Sequence, residues 1–409
     1  MTEVLGDAVK QEIQEAYRAW LKARGFKPRR GQREMIAHVA RMLASRGNRL
    51  GVVEAGTGTG KTAAYCIAAI PLAKALNKRV VISSATVALQ EQVTLRDLPD
   101  LKANANLDFT FTLAKGRGRY VCLKRLEERL TYQNQEQTPL FAEPEPDHVR
   151  IYERMQVRYG EGDWNGELDS WDDGVDSEVW SAVTTDHRGC SNNRCSFIHQ
   201  CPFFQARASV DDADVIVANH DLVLADLALG GGVVLPAPED TIFIFDEAHH
   251  LPDKTRQHFT ARARLRATTQ WLDQLNASVG TMTQRFSRPA ELLDLAKHLV
   301  DETAMMARLV AEVETMVSDL DFARVDDTRE NHRFALGRVP EALADVCEPL
   351  AGYFTTVADR LETLHGQVSE VLDGERDWPN AHQAEDWLPV VGQLAARALA
   401  SQALFADYA

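Results

Sequence analysis

Ala55-Gly56-Thr57-Gly58-Thr59-Gly60-Lys61-Thr62 stands between an apolar run, Leu50-Gly51-Val52-Val53, and an alanine-rich stretch from Lys61 to about Leu76. The run reads as a strand, the stretch as a helix, and the glycines between them as a phosphate-binding loop. Glycines let backbone N–H groups converge on phosphate oxygens with no Cβ in the way, and the following helix points its positive end at the anion. Lys61 then falls to the β- and γ-phosphates of ATP, and the Thr62 hydroxyl to Mg²⁺. The loop opens with Ala55 where the strict pattern has Gly.

Working outward, a second strand is expected at Arg79 to Ser83, a helix near Val87 to Thr94 and a third strand at Asp108 to Leu113. Upstream, the first 40 residues read as helices broken at Gly25-Phe26-Lys27-Pro28 and restarted at Arg30-Gly31-Gln32. Strands alternating with helices predict an α/β fold with a parallel, doubly wound sheet. The pattern stops over 131–189, rich in Glu, Asp, Gln and Pro and anchored by Trp164, Trp171 and Trp180. It resumes at Ala213 to Ala218 and at Thr241 to Phe245, so the piece between reads as an insertion in one sheet domain. The last strand runs into Asp246-Glu247-Ala248-His249. A phosphate loop needs such carboxylates: Asp246 to hold Mg²⁺ through water, Glu247 to accept the proton of a water attacking the γ-phosphate. His249 would link the nucleotide to the rest of the molecule, while His250 has no assigned part.

Beyond Leu251 the strand signal vanishes. Leu292, Leu295, Leu299, Met306, Leu309, Val313, Met316 and Leu320 recur at helical spacing, as do Leu343, Val346, Leu350, Phe354, Val357, Leu361, Leu364 and Val368. Two long amphipathic helices packed on one another are expected, and their stripes are packing seams rather than ligand sites.

A chain of 409 residues has room for two or three domains, and 45% hydrophobic with 26% charged residues is a globular balance. No run is long enough to span a bilayer, and the acidic start is unlike a signal peptide, so a soluble, cytoplasmic protein is expected. The net charge of −15 argues against a polyanionic partner only on average. Residues 1–130 carry +11, whereas 131–189 carry −10, 190–250 carry −7 and 251–409 carry −9. Local field steers a polyanion, which leaves nucleic-acid binding open for the N-terminal third. Lys115, Arg117, Arg119, Lys124 and Arg125 around Tyr120 suggest where a single strand would lie, basic groups tracking phosphates and the ring stacking a base. Tyr120 could equally shield the cysteine segment that follows it.

Six cysteines in a chain of this kind are not expected to form disulfides. Cys190, Cys195 and Cys201 form C-x4-C-x5-C, and Cys122 lies 68 positions before Cys190. That spacing is looser than zinc knuckles and leaves an iron–sulfur cluster, zinc and free thiols all open. Cys66 and Cys347 fit no motif and read as buried small hydrophobes.

The loop and the Asp-Glu-Ala-His strand resemble those of superfamily 2 helicases, whose first motif is Ala-x-x-Gly-x-Gly-Lys-Thr; Ala55 then becomes the expected residue. In that setting Gln32 looks like the adenine-reading glutamine, completing a nucleotide-binding set of Gln32, Ala55 to Thr62 and His249, and Ser84-Ala85-Thr86-Val87-Ala88-Leu89-Gln90 resembles the next motif, which touches DNA phosphates. Gly116-Arg117-Gly118-Arg119-Tyr120-Val121-Cys122, then Cys201-Pro202-Phe203-Phe204, Val217-Ala218-Asn219-His220 and the Asp-Glu-Ala-His strand follow the order of XPD-like iron–sulfur helicases. The sequence looks most like the bacterial DinG helicases, and the similarity runs from the N-terminus through the helical segment, including His332-Arg333-Phe334-Ala335-Leu336-Gly337.

The resemblance implies a [4Fe-4S] cluster on Cys122, Cys190, Cys195 and Cys201. It implies a RecA-like motor domain over 1–115 and 206–250, an iron–sulfur insertion over 116–205 and a helical arch over 251–409. The activity implied is ATP-dependent 5′ to 3′ translocation by a monomer on single-stranded, forked or R-loop-like DNA. Alternatives are an iron–sulfur single-stranded-DNA-binding module without motor activity and a phosphate-loop enzyme unrelated to DNA. Nothing in 251–409 reads as a second RecA-like domain, so the chain is expected to stop within or just after the arch. ATP hydrolysis near background and no duplex unwinding are then expected of the chain by itself.

Overall fold

The computed structural model describes residues 5–45, 50–56, 58–131, 146–186, 189–324 and 330–409. Thr57 of the expected loop lies outside them. The chain divides into two compact units, each with its own core.

The first unit comprises Met1–Tyr120, Glu167–Asp169 and His199–Phe259. It begins with helices α1 (Asp7–Arg24), α2 (Arg30–Ala44) and α3 (Lys61–Ala75). The break between the first two comes where the sequence places it: Gly25 turns left-handed at φ 64°, and the Phe26 N–H reaches back to the Leu21 carbonyl at 2.9 Å. Strands β1 (Arg79–Ser84), β2 (Phe111–Leu113), β3 (Val215–Asn219) and β4 (Thr241–Phe245) form one sheet in the order β2-β3-β1-β4. All its pairs are parallel, with Val81 of β1 opposite Ile216 of β3 on one side and Phe243 of β4 on the other.

Successive strand residues face opposite sides, and the two cores follow that alternation. Val80, Ile82, Val215, Val217 and Ile242 pack under α1, α2 and α3. Val81, Ile216 and Ala218 pack on the other side with Leu222, Val223 and Val210. Helix α3 is buried from Ala63 through Ala73 on every side, so it has no polar face to mark a period. This is the parallel sheet with helices on both faces that the motif spacing predicts.

Two strand expectations change. Residues 50–53 do not join the sheet: Leu50 and Val52 are 77% and 89% exposed, and Gly51 lies against Met42 of α2, where a Cβ would come within 3.0 Å of Met42 Cε. The strand expected from Asp108 shortens to Phe111–Leu113, because the Thr110 N–H is taken by the Asp214 carboxylate at 2.7 Å.

The second unit comprises Val121–Gly166, Ser170–Ile198 and Thr260–Ala409. Helices Ala290–Ser318 and Glu341–Leu372 are the two read from the leucine stripes, but Leu265–Arg285 and Ala384–Asp407 join the same core. Their seams, Trp271, Leu275, Val279 and Met282 in one and Trp387, Leu388, Val391 and Ala395 in the other, mix aromatics, small residues and few leucines, which hides the period. Trp164, Trp171 and Trp180 are buried against one another, with Trp164 and Trp171 edge to face at 4.9 Å. Among the described residues no helix is long and apolar enough to cross a membrane.

Candidate active site

The loop ahead of α3 depends on its glycines at two positions. Gly58 and Gly60 have φ of 74° and 77°, and a Cβ on Gly60 would stand 2.2 Å from Gln32 Nε2. Around them Arg29 Nη1 donates to the Gly58 carbonyl at 2.7 Å and Thr59 Oγ1 to that of Gly56 at 2.8 Å. Gln32 is buried, its Oε1 accepting from the Tyr17 hydroxyl at 3.2 Å, so the sequence brings it to the loop and then fixes it there.

Lys61, at the first turn of α3, meets Glu247 across 186 residues, Nζ to Oε1 at 2.8 Å. The hydrogen bond holds the Lys61 ammonium above its usual range and the Glu247 carboxyl below its own, so both are ionised near neutrality. One turn along, the Tyr65 hydroxyl donates to Asp246 Oδ2 at 3.2 Å, and burial keeps that phenol protonated. The sheet places the carboxylates: β4 pairs with β1, and the Asp246 N–H donates to the Ser83 carbonyl at 2.8 Å. At Glu247 the backbone turns left-handed, φ 53°, which costs a non-glycine residue about 1 kcal/mol or more. The turn throws the side chain back to Lys61, with its other oxygen 3.3 Å from His249 Nδ1. The His250 ring lies tilted against that of His249, their centroids 4.1 Å apart.

Tyr65 and Ser83 were not singled out in the sequence. Tyr65 had a signal, its position four residues after Lys61 on the same helical face. Ser83 had none, since its part comes from strand pairing.

The cysteines divide between the units. Cys122, Cys190 and Cys195 lie in the second, close enough for their charges to act on one another. Burial pushes the Cys122 thiol up to about 11 and raises that of Cys195. Each sulfur has a backbone donor, Arg125 for Cys122, Asn192 at 3.4 Å for Cys190 and Phe197 for Cys195, which suits a thiolate. Cys201 lies in the first unit, ahead of helix Pro202–Asp211, its carbonyl accepting from Gln205. Among the described residues no three His, Cys, Asp or Glu side chains are gathered as a metal site.

The basic stretch is not the open strand-binding surface expected of it. Lys115 pairs with Glu167 and Asp169, Arg119 with Asp169, and Arg117 lies over the Phe203 ring at 4.1 Å. Lys124 pairs with Asp386 at 2.9 Å and Arg125 Nη1 donates to the Thr184 carbonyl at 2.9 Å. Tyr120 is buried, edge-on to Phe203. Counting charge along 1–130 misses this, because the neutralising acids come from far along the chain.

The DEAD/DEAH box helicase model matches residues 29–128, and a second model, DEAD_2, matches 189–266. The chain is 34% identical over 377 residues to the ATP-dependent DNA helicase DinG of Photobacterium profundum. It is 35% identical over 382 residues to the proteins of that name from Escherichia coli strain K12 and Salmonella typhimurium. These matches cover 89–90% of this chain and 52–53% of the relatives, so it spans about half their length. Its two motif-bearing segments thus match DEAD/DEAH-box helicase models, and over about half of their length the DinG proteins are its homologues.

Proposed function

We propose that the chain carries the nucleotide machinery of an ATP-dependent DNA helicase of the DinG type, moving 5′ to 3′ on single-stranded DNA and acting on forked or R-loop-like intermediates in the bacterial cytoplasm, as a monomer. The observation that carries the reading is the contact of Lys61 with Glu247 beside Tyr65 and Asp246. Loop N–H groups and Lys61 would bind the β- and γ-phosphates, Thr62 and Asp246 would hold Mg²⁺, and Gln32 would read adenine from beside Gly60. Phosphate competes with Glu247 for Lys61. Once Lys61 turns to the nucleotide, the carboxylate loses the partner that depresses its basicity and can take a proton from the attacking water. His249, against the second oxygen of Glu247, would report that change.

Cys122, Cys190, Cys195 and Cys201 would hold a [4Fe-4S] cluster in a segment covering 116–205, with 251–409 as the arch. Three sulfurs near enough for their charges to act on one another, each with an N–H donor, support that reading. The cluster would cross-link positions that lie 68 residues apart in the sequence.

Calorimetry tests the nucleotide half. Wild-type chain should bind Mg-ATP, and Lys61→Ala should bind about thirty- to a hundredfold more weakly while losing no more than about 1 kcal/mol of stability, since one charge-assisted contact to phosphate is worth roughly 2–3 kcal/mol and the ion pair with Glu247 little. Equal affinities would overturn the assignment. For the DNA half, affinity for an oligonucleotide should fall steeply with added salt.

A further inference from the structure

His220 is fully buried at the end of β3, where the strand gives way to helix His220–Ala228, and none of the chemistry above uses it. Its place is set by the sheet. Asn219 caps the helix, its Oδ1 accepting from the Leu222 N–H at 2.7 Å, and pairs in register with Ser84 of β1. The ring is thereby directed at the preceding residue of β1: Ser83 Oγ lies 2.6 Å from His220 Nδ1.

Ser83 acts at both of its polar ends. Its carbonyl accepts from the Asp246 N–H, and its hydroxyl meets the imidazole. The other ring nitrogen, Nε2, is buried with no partner at hydrogen-bonding geometry, yet the Glu247 backbone is near enough to act on the ring as an acceptor. Phe245, the last residue of β4, flanks the imidazole at 6.0 Å. Burial holds the ring in its neutral form, so one nitrogen accepts and the other donates. With Nδ1 accepting from Ser83, the proton resides on Nε2, the nitrogen turned to the Glu247 turn.

We infer that His220 is a positioning residue for the Asp246–Glu247 turn: anchored by Ser83, it offers an Nε2–H to the Glu247 backbone and holds the left-handed conformation that aims both carboxylates at the metal and the water. Such a conformation persists only when its surroundings over-determine it. Within the first unit the turn is also tied by the Asp246 N–H to Ser83, by the Glu247 N–H to Asp246 Oδ1, by the His250 N–H to the Glu247 carbonyl, and through side chains by Tyr65 to Asp246 and by His249 and Lys61 to Glu247, the ion pair coming last. The last of these is surrendered when phosphate takes Lys61. The buried imidazole would then keep Glu247 from relaxing during turnover. An imidazole nitrogen left unpaired in a core costs free energy, and a hydrogen bond to the turn would offset that cost.

The inference rests on the reading of Asp246 as the Mg²⁺ carboxylate, and the test separates the two. Affinity for ATP is measured with Mg²⁺ and with EDTA on the full 409-residue chain, alongside thermal unfolding. In wild type Mg²⁺ should tighten binding; if it does not, the metal-site reading and this inference fall together. His220→Leu should lose about tenfold of the Mg²⁺ enhancement and keep its EDTA affinity within about twofold. His220→Gln, whose amide can reach the Nε2 position, should recover most of the loss. A parallel fall of both affinities, or an unchanged ratio, would overturn the positioning role. Should His220→Leu not fold, Ser83→Ala decides: it leaves the ring but frees its tautomer, and it should lower the Mg²⁺ ratio about threefold, an unchanged ratio counting against the inference.

Discussion

Lys61 and Glu247 lie 186 residues apart and meet at 2.8 Å; Cys122 and Cys190 lie 68 apart and share only a neighbourhood. The difference is in what carries them. Lys61 begins a helix buried on every side, and Glu247 follows a strand whose register is fixed by pairing with β1. A one-residue slip there would turn every side chain to the wrong face, so apolar burial specifies the site. Cys190 and Cys195 flank a short 3₁₀ turn instead, held by side chains: Arg194 to Asp373 and Ser369, Ser196 to Glu385. Ion pairs and hydroxyl bonds place a loop more loosely than a sheet does, and the proposed cluster would supply what they lack.

The sharpest way to break this contrast is to remove one sulfur. Cys190→Ser should cost protein prepared anaerobically its iron and visible absorbance and open the segment 183–198 to proteolysis, leaving Mg-ATP affinity in place. Stoichiometric zinc with no iron in the wild type would replace the cluster with a different metal. Loss of nucleotide binding in Cys190→Ser would show that the two regions are not separately specified.

Within the sheet unit a smaller effect is expected from Asp226, a buried carboxylate. It accepts from the N–H groups of Gly232, Val233, Val234 and Leu235, shaping the glycine turn before β4. Asp226→Ala leaves those four donors without their acceptor, at roughly 1 kcal/mol for each that water does not reach, about 1–3 kcal/mol together. Chemical denaturation should show the loss with an unchanged m-value. A loss under about 1 kcal/mol would mean that β4 is held by burial alone.

The same contrast sets what could be read from the sequence. The loop, β1, β4 and the carboxylates were legible because glycine spacing and apolar runs report backbone conformation directly. Ser83 and His220 were not, since their contact exists only through the pairing of β1 with β3. Leu50 to Val53 misled, a run apolar enough for a strand but interrupted by Gly51 and left largely exposed. The basic stretch misled for a different reason: its partners Glu167, Asp169 and Asp386 are acids that local counting assigns to other regions.

The smallest effect tests the site from inside. Glu247→Gln keeps the shape of the side chain and removes its charge, so Lys61 is left free for phosphate. The pair is partly exposed, and such a pair is worth no more than about 0.5–1 kcal/mol. The variant should therefore bind Mg-ATP about two- to fivefold more tightly, with no gain in hydrolysis over the near-background rate expected of this chain. The effect on stability has a sign fixed by the Glu247 carboxyl, which Lys61 holds below its ordinary range. A carboxyl depressed on folding stabilises above its unfolded value and loses that contribution as pH falls through the folded one. Wild type should thus be slightly more stable than Glu247→Gln near pH 7, and the difference should close in acid, as melting curves from pH 7 to 3 would show. A difference that persists at pH 3 would assign the effect to packing, and the carboxylate's tie to Lys61 would then be incidental to the fold.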